Sequence, residues 1–146
     1  MRSRVLSIPM IMILALSAVM AGNPAATARK TPGNRYTAYY FHGKLRCPTC
    51  LKIEKLSAES LRANEADMFR RGVLAWKAVN IDLPENEHFR KEFGLTASAL
   101  VFVCEEGGKV KRSRLVDEVW EWVNEPEADF GQKVDEAFSR FVANRK

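Results

Sequence analysis

The fold is decided by the stretch Arg46-Cys47-Pro48-Thr49-Cys50, a Cys-x-x-Cys motif. The motif follows a run of β-forming residues, 36–41, and precedes a long amphipathic segment that begins at Leu51. Two cysteines at this spacing can close a small disulfide. If the second half of the motif begins a helix, Cys47 lies at the helix N-terminus, where free N–H groups and the helix dipole favour a thiolate. Cys47 is therefore predicted to be the attacking sulfur and Cys50 its buried resolving partner.

Three neighbours of this pair are candidate site residues. Pro48 suits the first turn of a helix, because a proline loses no hydrogen bond there. Arg46 adds a positive charge next to Cys47. His42 ends the preceding strand. It could stabilise the thiolate or accept a proton there, or it is an ordinary surface histidine.

Apolar periodicity predicts an alternation of strands and helices. The predicted strands span residues 36–41, 73–81, 100–104 and 109–114. The predicted helices span residues 48–64, 66–71, 85–93, 115–122 and a last segment from 124 onward. The last helix carries an apolar stripe for packing on the sheet, formed by Phe130, Val134, Phe138 and Phe141.

Capping residues and polarity refine these elements. Asp82 and Glu85 form a capping pattern for the helix over 85–93, and Gly94 closes it. Asn124 is predicted to begin the last helix. The fourth strand is polar, so we expect it at an edge of the sheet.

The predicted order β-α-β-α-β-β-α, with Cys-x-x-Cys between the first strand and the first helix, resembles the thioredoxin fold. The resemblance covers about residues 35–142 and implies a four-stranded mixed sheet with helices on both faces. It also implies that the third strand runs antiparallel to the first and begins near Ser98, beside the motif. Cys104 would then lie ~20 Å from that point. We interpret Cys104 as a small buried hydrophobe at a strand end, with an intersubunit disulfide as the alternative.

The chain departs from thioredoxins at three places around the motif. Thioredoxins carry Trp before the motif and Gly-Pro inside it, where this chain has Arg46 and Pro48-Thr49. The place of their buried aspartate, counted back from Cys47, is Phe41. Their cis-proline opposite the disulfide is replaced by Ser98 or Ala99, which should be trans. The Ser98 hydroxyl or a backbone N–H could therefore face the sulfurs, and a specialised partner is favoured over broad reductase activity.

Three separated blocks are similar to a narrower group, the nitrophenyl compound nitroreductase subunit family, also called ArsF after an arsenic-resistance operon. The blocks are residues 39–43, 46–50 and 80–89. This resemblance implies a redox or metalloid-related role beside a partner that carries the reductase chemistry. The chain has no flavin or nicotinamide fingerprint, so no cofactor is predicted.

The N-terminus has the layout of a secretory signal peptide. A basic region over 1–4 precedes an apolar run over 5–20, and a small-x-small site at 26–28 follows. The apolar run is shorter than the ~20 residues of a membrane-spanning helix, and Pro9 interrupts it. We expect cleavage after residue 28, with a second cut after Ala21 as the alternative.

The predicted organisation is a signal peptide, a flexible leader and a thioredoxin-like domain, over residues 1–28, 29–34 and 35–146. An exported, periplasmic or extracellular protein with no membrane contact after cleavage is expected. Removing Arg2 and Arg4 leaves 23 − 2 = 21 basic against 18 acidic residues, so the net charge falls from +5 to +3. A nucleic-acid partner is therefore not predicted. The one basic cluster fits a solvated edge strand and consists of Lys109, Lys111, Arg112 and Arg114.

These features support three functional hypotheses. The first is thiol–disulfide exchange by Cys47 and Cys50 with a redox partner protein or a thiol substrate. The second is capture of a soft metal or metalloid by the same two sulfurs, with a third ligand from His42, a small thiol or another subunit. A structural zinc site would need two more ligands, and neither Cys104 nor His88 belongs to a second close pair. The third is an accessory subunit with a structural disulfide, and the oligomeric state is left open.

Overall fold

The computed structural model describes residues 33–144. The predicted signal peptide and the leader up to residue 32 lie outside the described residues. The described part contains one sheet of four strands in the order β2-β1-β3-β4. The strands are β1 (Arg35–His42), β2 (Leu74–Asn80), β3 (Ala99–Glu106) and β4 (Lys109–Val116).

Strand β1 occupies the centre of the sheet. It pairs in parallel with β2 and antiparallel with β3, and β3 pairs antiparallel with β4. Six consecutive residues of β1 are buried, which explains its uncharged, aromatic sequence. The polar strand β4 lies at one edge, as predicted, and the partly exposed strand β2 lies at the other.

Within residues 33–144, five α-helices accompany the sheet: α1 (Pro48–Asn64), α2 (Ala66–Arg70), α3 (His88–Phe93), α4 (Val119–Trp122) and α5 (Glu127–Ala143). A single 3-10 turn, Pro84–Asn86, precedes α3. Alternate residues of β1 enter two separate apolar clusters, because neighbouring side chains of a strand point to opposite faces. Tyr40 and Phe102 belong to the cluster with Ile53 of α1 and Phe138 of α5. Phe41 belongs to the other cluster, which packs against α3.

The parallel β1–β2 pair, the antiparallel β3–β4 hairpin and the helices on both faces constitute a thioredoxin-like fold. The order of elements predicted from the sequence is confirmed. The apolar stripe of the last helix is confirmed too, since all four of its aromatic and valine side chains are buried.

Three helix starts were predicted wrongly. The segment predicted as a helix over 115–122 is helical only over Val119–Trp122, because Leu115 and Val116 continue β4 and pair with β3. The segment over 85–93 is a 3-10 turn followed by α3, and Asp82 does not cap it because its carboxylate binds Lys44 and Arg90 instead. Gly94 does close α3, in the left-handed conformation with φ 66°. The last helix begins at Glu127, not at Asn124, because Pro126 disfavours helical backbone at the residue before it.

Within residues 33–144, no helix is both long and apolar enough to cross a membrane.

Candidate functional site

Cys47 and Cys50 form a disulfide at the N-terminus of α1, with their Cα atoms 5.1 Å apart. Cys47 is exposed, whereas Cys50 is only 7% exposed and faces the core. The two sulfurs therefore differ in access, and an incoming thiol or thiolate meets Cys47 first.

The backbone around the pair is arranged to stabilise a negative charge on Cys47. The Cys50 N–H donates to Cys47 Sγ at 3.0 Å. Cys47 is the extended N-cap residue, Pro48 is the first helical residue, and the first turn contains no acidic side chain. Together with the positive end of a 17-residue helix, these groups favour a thiolate at Cys47 in the reduced protein.

Tyr40 lies directly beneath the motif, and no local pattern distinguishes it from the other aromatic residues of β1. Its side chain is fully buried, and its hydroxyl donates to the Cys50 carbonyl at 2.8 Å. Burial raises the pKa of Tyr40 to about 12, while the Arg46 charge and an interaction with the Ser98 side chain act in the opposite direction. The phenol is therefore neutral and a hydrogen-bond donor at physiological pH.

Phe41, the place of the buried aspartate of thioredoxins counted back from Cys47, lies in the cluster that packs against α3. Tyr40 lies in the cluster on the α1 face, and its hydroxyl is bonded to Cys50 of the motif. The two residues face opposite sides of the sheet, because successive side chains of a strand alternate.

Arg46 forms an ion pair with Glu54, one turn beyond the motif on α1. The two side chains are 29% and 21% exposed, so the pair is partly shielded from water. Glu54 offsets part of the positive charge that Arg46 brings next to Cys47.

His42 lies at the end of β1 and is half-buried. Its Nδ1 atom is 2.9 Å from the Gly43 carbonyl oxygen, and its own carbonyl accepts the Ile81 backbone N–H at 2.9 Å. These contacts place His42 beside the loop that precedes the motif.

Asp82 anchors that loop. Its Oδ2 atom accepts the Lys44 backbone N–H at 2.7 Å, and its Oδ1 atom pairs with Arg90. The Lys44 N–H is the main cause of a lowered pKa of Asp82, and Arg90 adds to it. Asp82 was predicted only as a helix cap, since a tertiary contact of this kind leaves no periodic signal in the sequence.

Ser98 lies immediately before β3, next to the end of β1 that leads to the motif, because Phe41 pairs with Ala99. It is partly exposed. The indole N–H of Trp120 donates to the Ser98 carbonyl at 3.2 Å and holds this segment from α4. No local pattern in the sequence indicates this hydrogen bond. All peptide bonds within residues 33–144 are trans, Ser98 and Ala99 included.

Cys104 lies at the far end of the sheet from the disulfide. It is 2% exposed and pairs with Tyr36 at the start of β1, whereas the motif follows the other end of that strand. It is a free thiol packed in the core on the α1 face. The interpretation of Cys104 as a small buried hydrophobe is confirmed.

The candidate ligands for a metal are not brought together in the described part of the chain. No group of three or more His, Cys, Asp or Glu side chains there could hold a metal ion. His88 lies on α3, where its ring stacks against Phe89 and its Nδ1 atom contacts the Glu85 carbonyl.

The sequence matches no known family model, and no curated protein is significantly similar to it. Among solved structures, the chain is similar to a thioredoxin from Thermus thermophilus, with 17% identity, a TM-score of 0.41, and coverage of 70% of this chain and 73% of that one. It is also similar to the thioredoxin of Fasciola hepatica, with 22% identity, a TM-score of 0.36, and coverage of 62% and 79%. Oxidised mitochondrial thioredoxin 3 of Saccharomyces cerevisiae matches with 17% identity, a TM-score of 0.37, and coverage of 57% and 68%. The assignment of the fold rests on the strand order and pairing described above.

Proposed function

We propose that this protein performs thiol–disulfide exchange through Cys47 and Cys50. One observation carries the proposal: an exposed sulfur at a helix N-terminus accepts the N–H of its buried partner at 3.0 Å. This geometry lowers the cost of a thiolate at Cys47 and keeps Cys50 within bonding distance of it. A disulfide that served only to staple the chain would need neither the exposure nor the donor.

The reaction begins when the Cys47 thiolate of the reduced protein attacks a disulfide of a partner. A bond forms between Cys47 Sγ and one partner sulfur, and the other partner sulfur leaves as a thiolate. Cys50 then loses its proton to water and attacks Cys47 Sγ, which releases the second partner sulfur and closes the Cys47–Cys50 disulfide. Two electrons pass to the partner. The reverse sequence oxidises a partner dithiol.

Strand β1, which lies beneath the motif, contains no carboxylate that could receive the proton of Cys50. Tyr40, the polar group beneath Cys50, is a neutral phenol with its pKa raised to about 12 and therefore does not act as a base. Because the Cys50 proton passes to solvent at the edge of the motif, we expect the attack of Cys50 on Cys47 Sγ to be comparatively slow. A slow second step suits a protein that forms a long-lived mixed disulfide with one dedicated partner.

Export is part of the proposal. The basic, apolar and small-residue regions at the N-terminus support a signal peptide over 1–28, which would deliver the domain over 35–146 to a periplasmic or extracellular space. In that oxidising environment the pair would be maintained as the disulfide unless a partner supplied electrons. No family model matches the chain, so the similarity of residues 39–43, 46–50 and 80–89 to the nitroreductase subunit (ArsF) family enters only as a proposal: a dedicated partner would carry the reductase chemistry.

The test is a turnover assay with a small disulfide and with a protein disulfide, using the full chain and its single-cysteine variants. Cys47→Ser is expected to abolish turnover, since no sulfur remains at the exposed position. Cys104→Ala is the matched control, because it removes a cysteine that is buried at the opposite end of the sheet. Full turnover by Cys47→Ser would contradict the proposal and leave a structural disulfide as the explanation of the pair.

A further inference from the structure

We infer that Tyr40 is a positioning residue for the cysteine pair: its hydroxyl holds the Cys50 peptide so that the Cys50 N–H remains directed at the Cys47 sulfur. The inference rests on the proposed exchange function and assigns a role to a residue on the sheet, outside the Cys-x-x-Cys motif. It follows from two hydrogen bonds to the backbone of Cys50 and from the burial of Tyr40.

The backbone of Cys50 is held at both its N–H and its carbonyl group. Its N–H donates to Cys47 Sγ at 3.0 Å, and its carbonyl accepts the Tyr40 hydroxyl at 2.8 Å. The carbonyl of Cys50 lies in the first turn of α1, so Tyr40 ties that turn to the centre of the sheet. No other side chain of the described residues makes a hydrogen bond to the Cys50 backbone.

Tyr40 itself has little freedom to move. It is 0% exposed and lies in the cluster that also contains Ile53, Leu100 and Phe102. Its strand pairs with neighbours on both sides, with Ala78 of β2 and Leu100 of β3 as the residues opposite it. A donor fixed in this way is preorganised, because no side-chain entropy is lost when the hydrogen bond forms.

The segment that precedes β3 is held from another side, because the Ser98 carbonyl accepts the Trp120 indole N–H at 3.2 Å. Without the Tyr40 hydroxyl, the first turn of α1 can shift relative to the sheet. The Cys50 N–H is then less well directed at Cys47 Sγ.

The chemical consequence concerns the reduced protein. A thiolate at Cys47 loses part of its stabilisation when the Cys50 N–H is misdirected. Cys47 should then ionise at a higher pH, and the disulfide should become harder to reduce. The free energy of one hydrogen bond corresponds to about a fivefold change in the equilibrium constant for exchange with glutathione. This change shifts the reduction potential of the Cys47–Cys50 pair by roughly 20 mV, because the couple transfers two electrons.

The test compares Tyr40→Phe with wild type in the full chain. The substitution keeps the buried ring and removes only the hydroxyl. We expect the pH midpoint of Cys47 alkylation to rise, and the glutathione equilibrium to shift about fivefold toward the disulfide. Tyr39→Phe is the matched control: Tyr39 adjoins Tyr40 in β1, but its ring stacks on Phe41 on the opposite face. The control should leave both quantities at their wild-type values.

A purely structural role would lower the thermal midpoint of Tyr40→Phe and leave Cys47 alkylation and the glutathione equilibrium unchanged. That result, or equal shifts in both variants, would overturn the inference. Turnover of the wild type is measured in the same experiment. Wild-type turnover with unaltered Cys47 chemistry in Tyr40→Phe contradicts only the role of Tyr40, whereas absent wild-type turnover contradicts the exchange function.

A measurement on the wild type covers the case in which Tyr40→Phe does not fold. The Tyr40 hydroxyl proton should exchange slowly with solvent in nuclear magnetic resonance spectra of both the oxidised and the reduced protein, because it is buried and hydrogen-bonded. Rapid exchange in the reduced protein would show that the hydrogen bond to Cys50 is lost in the redox state in which Cys47 forms a thiolate. That result would overturn the inference.

Discussion

The Asp82 carboxylate accepts the backbone N–H of Lys44 at 2.7 Å and so joins the end of β2 to the loop that leads into the disulfide. Gly43 leaves room for this contact, since a Cβ atom there would lie 2.9 Å from Asp82 Oδ2. The backbone N–H of Ile81 donates to the His42 carbonyl at 2.9 Å and holds the same two segments together. Two stretches that are far apart in the sequence therefore form one support for the motif.

Releasing this support should slow the exchange reaction. Asp82→Ala removes the acceptor for Lys44, and Gly43→Ala forces the carboxylate away from it. We expect each variant to reduce the rate constant for exchange with a protein disulfide by up to about tenfold, because Cys47 is less well positioned. Asp67→Ala is the control, since Asp67 is another exposed aspartate that pairs with arginines, on α2. An equal loss of rate in the control would contradict the account of the loop.

The contribution of Asp82 to stability should depend on pH in a defined direction. Its pKa in the folded protein is lowered, chiefly by the Lys44 N–H and further by Arg90. A lowered folded-state pKa stabilises the protein above the unfolded-state pKa, and this stabilisation is lost as the pH falls through the folded-state pKa. The difference in unfolding free energy between wild type and Asp82→Asn should therefore be largest near neutral pH and vanish in acid. Denaturant titrations over a pH series measure it, and a difference that did not vary with pH would refute the assignment.

The ion pair between Arg46 and Glu54 predicts opposite effects of two substitutions. Glu54→Gln leaves the Arg46 charge uncompensated, so the pH midpoint of Cys47 alkylation should fall. Arg46→Gln removes the positive charge, and the midpoint should rise. Lys55→Gln serves as the control, because Lys55 is exposed on the same helix and pairs only with Glu59 at 4.0 Å. Shifts of the same sign in both variants would show that Arg46 does not act on Cys47 through its charge.

Trp120→Phe should separate reaction with a protein partner from reaction with a small thiol. The substitution removes the indole N–H that holds the Ser98 carbonyl at 3.2 Å, at a cost to stability of about 1 kcal/mol. We expect a raised KM for a protein disulfide and an unchanged rate with glutathione, because only the larger substrate contacts the segment before β3. The matched control is Trp122→Phe, whose ring packs against the same core. If the two variants had the same KM, the Ser98 segment would have no part in binding.

The sequence predicted the elements that have a strong local signal. Periodicity identified the strands, α1 and the stripe of α5, because a buried face repeats along each of them. The spacing of Cys47 and Cys50 identified the disulfide and its position at a helix N-terminus. Antiparallel pairing of β1 and β3 also placed Cys104 correctly at the far end of the sheet.

The parts that the sequence did not predict depend on contacts between distant residues. Asp82 has the pattern of a helix cap, yet Lys44 and Arg90 compete successfully for its carboxylate. Tyr40 is one of several aromatic residues in β1, and only the register of the strand shows that it, and not Phe41, faces the motif. The hydrogen bond from Trp120 to Ser98 requires the position of α4 against the sheet, which no local pattern encodes.

The most direct test of the exchange mechanism is the capture of a mixed disulfide by the Cys50→Ser variant. Without Cys50, the intermediate at the exposed Cys47 cannot be resolved from within the chain, so it should accumulate with a partner protein or with glutathione. Mass spectrometry of non-reduced protein should locate the new disulfide on Cys47, and Cys47→Ser treated in the same way should form none at Cys50, which is buried. Equal trapping by the two variants, or none by Cys50→Ser, would contradict the assignment of Cys47 as the attacking sulfur.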